Sequence, residues 1–127
     1  MAELFRITGV WKEDGSYYFT DNSGERHAGM MNPPELLTAA LVSCTGITMQ
    51  TIMKRMKIEH EGFTITGVTR KEGDEAVRFN PMTLDASIHG AVLSEGQQKR
   101  LLDLTEKYCP VTQTLERSVD ITLNIDT

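Results

Sequence analysis

NPPELLTAALVSCTGITMQTIMKRMKI, residues 32–58, is the stretch that decides the fold. Its two prolines stand where a helix can begin, because the first helical turn leaves backbone N–H groups unpaired in any case. The rest of the stretch contains no proline and a single glycine, and many of its residues favour helices. The pattern predicts a helix over residues 33–57.

Helical geometry, at about 100° per residue, places apolar residues on two opposite sides of this helix. One side carries Leu37, Ala40, Leu41, Cys44, Ile47, Thr48 and Thr51, and the other carries Val42, Met49, Met53 and Met56. Basic residues occur only near the carboxyl end. A helix that is apolar all round is a buried one, so we expect a sheet on one side and another helix or subunit on the other.

Length and composition describe one domain spanning residues 1–127. Of its residues, 39% are hydrophobic and 24% are charged, which is typical of a soluble globular protein. The net charge of −5 argues against nucleic acid as a partner, because such binding depends on basic side chains that neutralise phosphates. Neither a signal peptide nor an uninterrupted apolar run of about 18 residues is visible, so we expect a cytoplasmic protein without a membrane segment.

The residues around the helix predict strands and two shorter helices. Strands are expected over 4–12 and 16–20, joined by a turn at Asp14-Gly15, and the loop 21–31 has room for a short strand. Further strands are expected over 63–70, 77–79, 82–92 and 119–125, with an interruption at Asn80-Pro81 that marks a bulge or an edge position. Ser94 and Gln97 fit a capping box for a helix ending near Tyr108, and 111–117 fits one more helical turn. This order predicts an α+β fold whose mainly antiparallel sheet wraps around the long buried helix.

The chain has two cysteines, Cys44 and Cys109. Cys109 precedes Pro110 and is therefore expected at the start of a short helix, where exposed N–H groups favour a thiolate. Cys44 lies mid-helix in apolar surroundings, where its pKa should rise unless a cation is near. Composition alone leaves two interpretations open, a pair of buried core thiols or a redox pair.

The isolated histidines match no metal-ligand spacing, and no phosphate-binding loop is present, so neither metal nor cofactor is expected.

Two motifs together, NPPELLTAALVSC and YCPVTQTL, resemble the OsmC/Ohr family of osmotically inducible and organic hydroperoxide resistance proteins. The first motif places Cys44 in the long helix, and the second places Cys109 before Pro110 after a second helix. The order of elements also matches, so the resemblance covers essentially the whole chain as a single OsmC-like domain. It implies an intertwined homodimer with the long helices packed at its centre.

The resemblance also implies a thiol-dependent peroxidase in oxidative stress defence, without a cofactor. In such enzymes the first cysteine attacks the peroxide and becomes a sulfenic acid, and the second cysteine condenses with it to form a disulfide. These roles would fall on Cys44 and Cys109. Organic hydroperoxides would be the substrate, and an external dithiol would reduce the disulfide by thiol exchange.

Two departures from the family pattern concern the activation of the first cysteine. Where family peroxidases have an arginine near the first hairpin turn, residues 12–15 read Lys-Glu-Asp-Gly, which leaves Arg6 and Arg26 as candidates. Where the family has a glutamate ten residues before the cysteine, this chain has Pro34, and Glu35 follows. Two alternatives therefore stay open, a non-catalytic dimer that binds an apolar molecule or a partner, and a thiol redox sensor.

Overall fold

The computed structural model describes residues 5–21 and 23–127. In this part of the chain the elements follow in the order β1 (Phe5–Trp11), β2 (Tyr17–Asp21), β3 (Gly24–Arg26), α1 (Pro33–Arg55), β4 (Phe63–Lys71), β5 (Phe79–Ile88), α2 (Glu95–Tyr108), α3 (Pro110–Leu115) and β6 (Ile121–Asp126). The first predicted strand began at Leu4, which lies outside the described residues.

The six strands form one sheet in the order β3-β2-β1-β4-β5-β6. All neighbours are antiparallel except β5 and β6, which run parallel because α2 and α3 carry the chain back between them. The predicted hairpin joins β1 and β2, and Gly15 takes a positive φ of 89° in its turn. The α+β prediction with a mainly antiparallel sheet is confirmed.

Strand β5 corrects one part of the prediction. One strand runs from Phe79 to Ile88, so Val77 and Val92, which are 90% and 97% exposed, lie outside it. The interruption predicted at Asn80-Pro81 is present as a bulge-like irregularity in the pairing with β4. The proline is tolerated because the β4–β5 pairing is irregular between Thr69 and Lys71 and the pairing with β6 begins only at Met82. A residue without an N–H therefore removes no regular ladder bond there.

Helix α1 begins where the prolines predicted. The Asn32 side chain accepts a hydrogen bond from the Glu35 backbone N–H, and the Glu35 carboxylate accepts one from the Asn32 backbone N–H, which forms a capping box. The helix ends at Arg55, two residues before the predicted end, because the chain reverses at Lys57, whose φ is 58°.

One side of α1 lies on the sheet, and Trp11 fills the space between them. Val42, Met49 and Met53 are completely buried on this side. The Trp11 indole stacks on Tyr17 at 4.6 Å and on Phe63 at 5.0 Å between ring centroids. It also passes so close to the helix at Gly46 that a Cβ there would lie 2.0 Å from the ring. Because Gly46, the single glycine of the helix, has no Cβ, the helix can pack closely against Trp11 on the sheet.

The opposite side of α1 is covered only in part. Helices α2 and α3 pack against it and Leu41 is buried, but Leu36 and Ile47 are 41% and 51% exposed. By length and composition α1 could cross a membrane, with a mean hydropathy of 1.5, yet half of the window is buried within the protein. It is therefore a core helix.

Candidate functional site

The two cysteines occupy different kinds of position. Cys44 lies in the middle of α1 and is half-buried, whereas Cys109 is completely buried between α2 and α3. The Cys109 N–H donates to the Thr105 carbonyl at 3.1 Å, and the Cys109 carbonyl accepts from the Gln113 N–H at 3.0 Å. Cys109 therefore ends α2 and is the N-cap of α3, as its position before Pro110 predicted.

Packing of α1 against α2 and α3 brings the cysteines together. The Thr45 hydroxyl lies 3.7 Å from the Cys109 sulfur, and both residues are buried. Thr45 directly follows Cys44 in the helix, so the start of α3 is held beside the middle of α1. The two thiols lie near one another and act on each other's ionisation.

The pKa of Cys109 is lowered. Burial by itself raises this pKa, but the hydroxyl and backbone N–H of Thr112, the Cys44 thiol and the Thr45 hydroxyl outweigh burial. Each of these groups stabilises negative charge on the sulfur, and the N-cap position adds the positive end of the helix dipole. Cys109 is thus the more acidic of the two thiols.

The pKa of Cys44 is raised. Burial is the largest cause, and the neighbouring Cys109 raises the pKa further, because two adjacent thiols resist becoming thiolates together. The backbone N–H of Val111 and the hydroxyl of Thr48 act in the opposite direction without reversing the shift. Of the two thiols, Cys109 therefore loses its proton first, and the Cys44 thiol donates a hydrogen bond to the Cys109 sulfur.

A groove of about 700 Å³ opens beside Cys44. It is lined by residues of α1 and its C-cap between Cys44 and Met56, by Arg100, Leu104 and Tyr108 of α2, and by Pro110 of α3; it is called the Cys44 groove below. Ile47, Ile52, Met56 and Leu104 make its surface largely apolar. Cys44 is therefore the sulfur that a ligand in the groove would meet, while Cys109 lies behind it.

Arg26, one of the two candidates for activating Cys44, forms an ion pair with Glu35 at the start of α1. The Arg26 guanidinium lies 3.3 Å from the Glu35 carboxylate and also contacts Asp21 and the Met30 carbonyl. Nine residues of helix, about 14 Å of rise, separate Glu35 from Cys44. Within one subunit this pair therefore belongs to the N-terminus of α1. Arg6, the other candidate, is exposed on β1.

Sequence reasoning missed three residues of the site, namely Thr45 beside Cys109 and the two arginines of the groove, Arg55 and Arg100. The helical period could have found Arg55, which lies eleven residues after Cys44 and so on the same side of α1. Nothing in the sequence shows which face of α2 meets α1. Within residues 5–21 and 23–127, no group of three or more histidines, cysteines or acids is arranged to hold a metal ion.

Comparisons with known proteins agree with this architecture. The family model described as OsmC-like protein matches residues 26–124. The organic hydroperoxide resistance protein-like 1 of Staphylococcus epidermidis is 26% identical over 98 residues, which cover 75% of this chain and 69% of that protein.

Solved structures show the same fold. The OsmC like protein from Mycoplasma pneumoniae superposes with a TM-score of 0.65 at 22% identity, covering 98% of this chain and 97% of that one. The organic hydroperoxide resistance protein OsmC from Legionella pneumophila superposes with a TM-score of 0.63 at 18% identity, with full coverage of both chains.

Proposed function

The chain belongs to the family of OsmC-like proteins, and from this we propose that it is a thiol-dependent peroxidase reducing organic hydroperoxides, with Cys44 attacking and Cys109 resolving. One observation carries the proposal. Two cysteines distant in sequence meet, and the more exposed of them faces an apolar groove. An organic hydroperoxide offers an apolar body for that groove and an O–O bond for the sulfur.

The first step forms the Cys44 thiolate. Cys44 loses its proton to solvent in the groove, and the Val111 backbone N–H and the Thr48 hydroxyl stabilise the resulting thiolate. The Cys44 thiolate attacks the terminal peroxide oxygen, the O–O bond breaks, and Cys44 becomes a sulfenic acid. The departing alkoxide takes a proton from solvent and leaves as an alcohol.

The second step joins the two sulfurs. The Cys109 thiolate attacks the Cys44 sulfur, hydroxide leaves, and a disulfide remains. An external dithiol then reduces this disulfide by thiol exchange. Complete burial protects Cys109 from direct oxidation, so that it reacts with the sulfenic acid beside it rather than with peroxide in solution.

The proposal includes a cytoplasmic homodimer acting in oxidative stress defence. The uncovered side of α1 supports the dimer, because exposed Leu36 and Ile47 lie on it. A second copy of the chain would cover apolar surface of this kind. A reducing cytoplasm would supply the dithiol that the cycle consumes.

Stopped-flow oxidation by cumene hydroperoxide tests the assignment. We expect fast loss of thiol in the native protein, no fast phase in Cys44→Ser, and a trapped sulfenic acid on Cys44 in Cys109→Ser. Reaction no faster than free cysteine, or full activity in Cys44→Ser, would reject the peroxidase. Inert thiols would leave the non-catalytic dimer that binds an apolar molecule.

One observation favours a second function, a thiol redox sensor or disulfide exchanger. The raised pKa of Cys44 disfavours the thiolate that peroxide chemistry needs, while the lowered pKa of Cys109 favours the thiolate that disulfide exchange needs. Comparing the rates of oxidation by cumene hydroperoxide and by a small disulfide separates the two functions. A peroxidase reacts much faster with the peroxide, and a sensor without dedicated peroxide chemistry does not.

A further inference from the structure

The Cys44 groove contains a second sulfur-bearing side chain, that of Met56. Met56 is the C-cap of α1, and its backbone N–H donates to the carbonyls of Ile52 and Lys54. It lies twelve residues after Cys44, which is about 18 Å of helical rise. The thiol of Cys44 and the thioether of Met56 therefore belong to different parts of one groove.

The other methionines of residues 5–21 and 23–127 do not line this groove. Four of them are buried, with at most 9% exposure, namely Met31, Met49, Met53 and Met82. Met30, just before α1, is 58% exposed. Met56 is half-buried, because it packs against the main core while it lines the groove. A peroxide in solution therefore meets Met30 first, whereas an apolar peroxide held in the groove meets Met56.

A thioether can reduce a hydroperoxide without being ionised. Its sulfur attacks the terminal peroxide oxygen, the O–O bond breaks, and the transferred oxygen passes its proton to the departing alkoxide. The products are methionine sulfoxide and an alcohol, so the sulfur loses the two electrons that the peroxide gains. A thiolate is a stronger nucleophile than a thioether, so Met56 reacts after Cys44 and Cys109 have joined in a disulfide and the external dithiol is exhausted.

We propose that Met56 is a site of methionine oxidation by organic hydroperoxides, and that its sulfoxide weakens the binding of apolar molecules in the Cys44 groove. The sulfoxide is polar, whereas Ile47, Ile52 and Leu104 make the surface of the groove largely apolar. The modification regulates the site of the proposed function, on which the supply of peroxide to the groove rests. It lowers substrate binding when the dithiol is exhausted, and methionine sulfoxide reductases reverse it.

Mass spectrometry of Cys44→Ser/Cys109→Ala tests the oxidation, because this variant has no thiol that consumes peroxide. Limiting cumene hydroperoxide should oxidise Met56 at least about tenfold more than Met30, because the groove holds this peroxide beside the thioether. Hydrogen peroxide has no apolar body, so it should follow exposure and oxidise Met30 more than Met56. The native protein, oxidised beforehand to its disulfide, should show the same two preferences.

Calorimetric titration with cumyl alcohol, the product of cumene hydroperoxide, measures the consequence for binding. Once Met56 is oxidised, the cysteine-free variant should bind cumyl alcohol at least about tenfold more weakly, and methionine sulfoxide reductases should restore its affinity.

The matched control adds Met56→Leu, which keeps an apolar side chain of similar volume and removes the sulfur. Its affinity for cumyl alcohol should be the same before and after peroxide treatment, although its Met30 is still oxidised.

Three outcomes would overturn the proposal. They are a ratio of Met56 to Met30 oxidation that is the same for both peroxides, oxidation of the buried Met49 and Met53 together with Met56, and cumyl alcohol binding that is absent at the start or survives oxidation of Met56. The second outcome would mean that the protein opens before Met56 reacts.

The thiols and Met56 are tested separately. A protein whose thiols fail with cumene hydroperoxide but whose Met56 is oxidised preferentially would keep the modification site and lose only the peroxidase. A fast thiol reaction without any preference for Met56 over Met30 would keep the peroxidase and reject the modification site.

Discussion

The Thr45 hydroxyl lies 3.7 Å from the Cys109 sulfur, across the contact between α1 and the start of α3. Both side chains are buried, so water does not compete for this contact. Thr45 therefore does two things at once. It holds the N-cap of α3 beside Cys44, its neighbour in the helix, and it stabilises a thiolate on Cys109.

Thr45→Val tests this contact. Loss of the hydroxyl removes one of the groups that lower the pKa of Cys109, so that pKa should rise and less thiolate should be present at neutral pH. The measurement is the pH dependence of thiolate absorbance in a Cys44→Ser background, where Cys109 is the remaining cysteine.

Thr51→Val in the same background is the control. Thr51 lies on the same helix and donates to the Ile47 carbonyl at 3.0 Å, away from Cys109. It should leave the titration unchanged. A Cys109 pKa that stays constant in Thr45→Val would show that the hydroxyl only fills space.

Cys109→Ala should lower the pKa of Cys44. Burial is the largest cause of the raised Cys44 pKa and persists in this variant, but the two contributions of Cys109 disappear. A lower pKa means more thiolate at a given pH, so alkylation of Cys44 should begin at a lower pH than in the native protein. Mass spectrometry after iodoacetamide treatment across a pH series measures this for Cys44 alone.

The opposite result would contradict the coupling of the two thiols. If Cys44 needed a higher pH in Cys109→Ala, then Cys109 would assist the Cys44 thiolate in the native protein instead of opposing it. Cys44→Ala is the reciprocal variant, and it should raise the pKa of Cys109 because a stabilising donor is lost.

Gly46→Ala should destabilise the protein by about 1–3 kcal/mol, a typical penalty for overpacking. The new Cβ would lie 2.0 Å from the Trp11 indole, which is held in place by its stacking partners. Helix propensity alone favours alanine over glycine by about 1 kcal/mol, so the sign of the change distinguishes packing from propensity. Urea denaturation measures it. Gly29→Ala, where a Cβ meets nothing within 4 Å, should be nearly neutral.

Asn32→Ala should cost about 1 kcal/mol of stability, because it removes the N-cap of the central helix. Glu35→Gln should cost less, since an amide oxygen can still accept from the Asn32 backbone N–H and only the charge facing Arg26 is lost. Thermal unfolding of the two variants compares them. Equal losses would mean that the ion pair matters as much as the cap.

Much of the fold follows from local chemistry. The start of α1 at two prolines, the Ser94–Gln97 capping box of α2 and the N-cap position of Cys109 each depend on a few adjacent residues, and all three predictions are confirmed. The predicted interruption at Asn80-Pro81 is a bulge-like irregularity in the β4–β5 pairing, whereas the predicted continuation of this strand to Val92 was wrong, because β5 ends at Ile88.

The sequence by itself determined the helices, the alternating strands and two cysteines in different local settings, because caps and hydrophobic periods act over a few residues. Only the tertiary structure decided that Thr45 contacts Cys109, that Arg26 pairs with Glu35, and that Arg55 and Arg100 line the same groove as Cys44. These relationships depend on which face of α2 packs on α1. The packing of α2 on α1 depends on how the whole core is buried, so no short stretch of the chain predicts it.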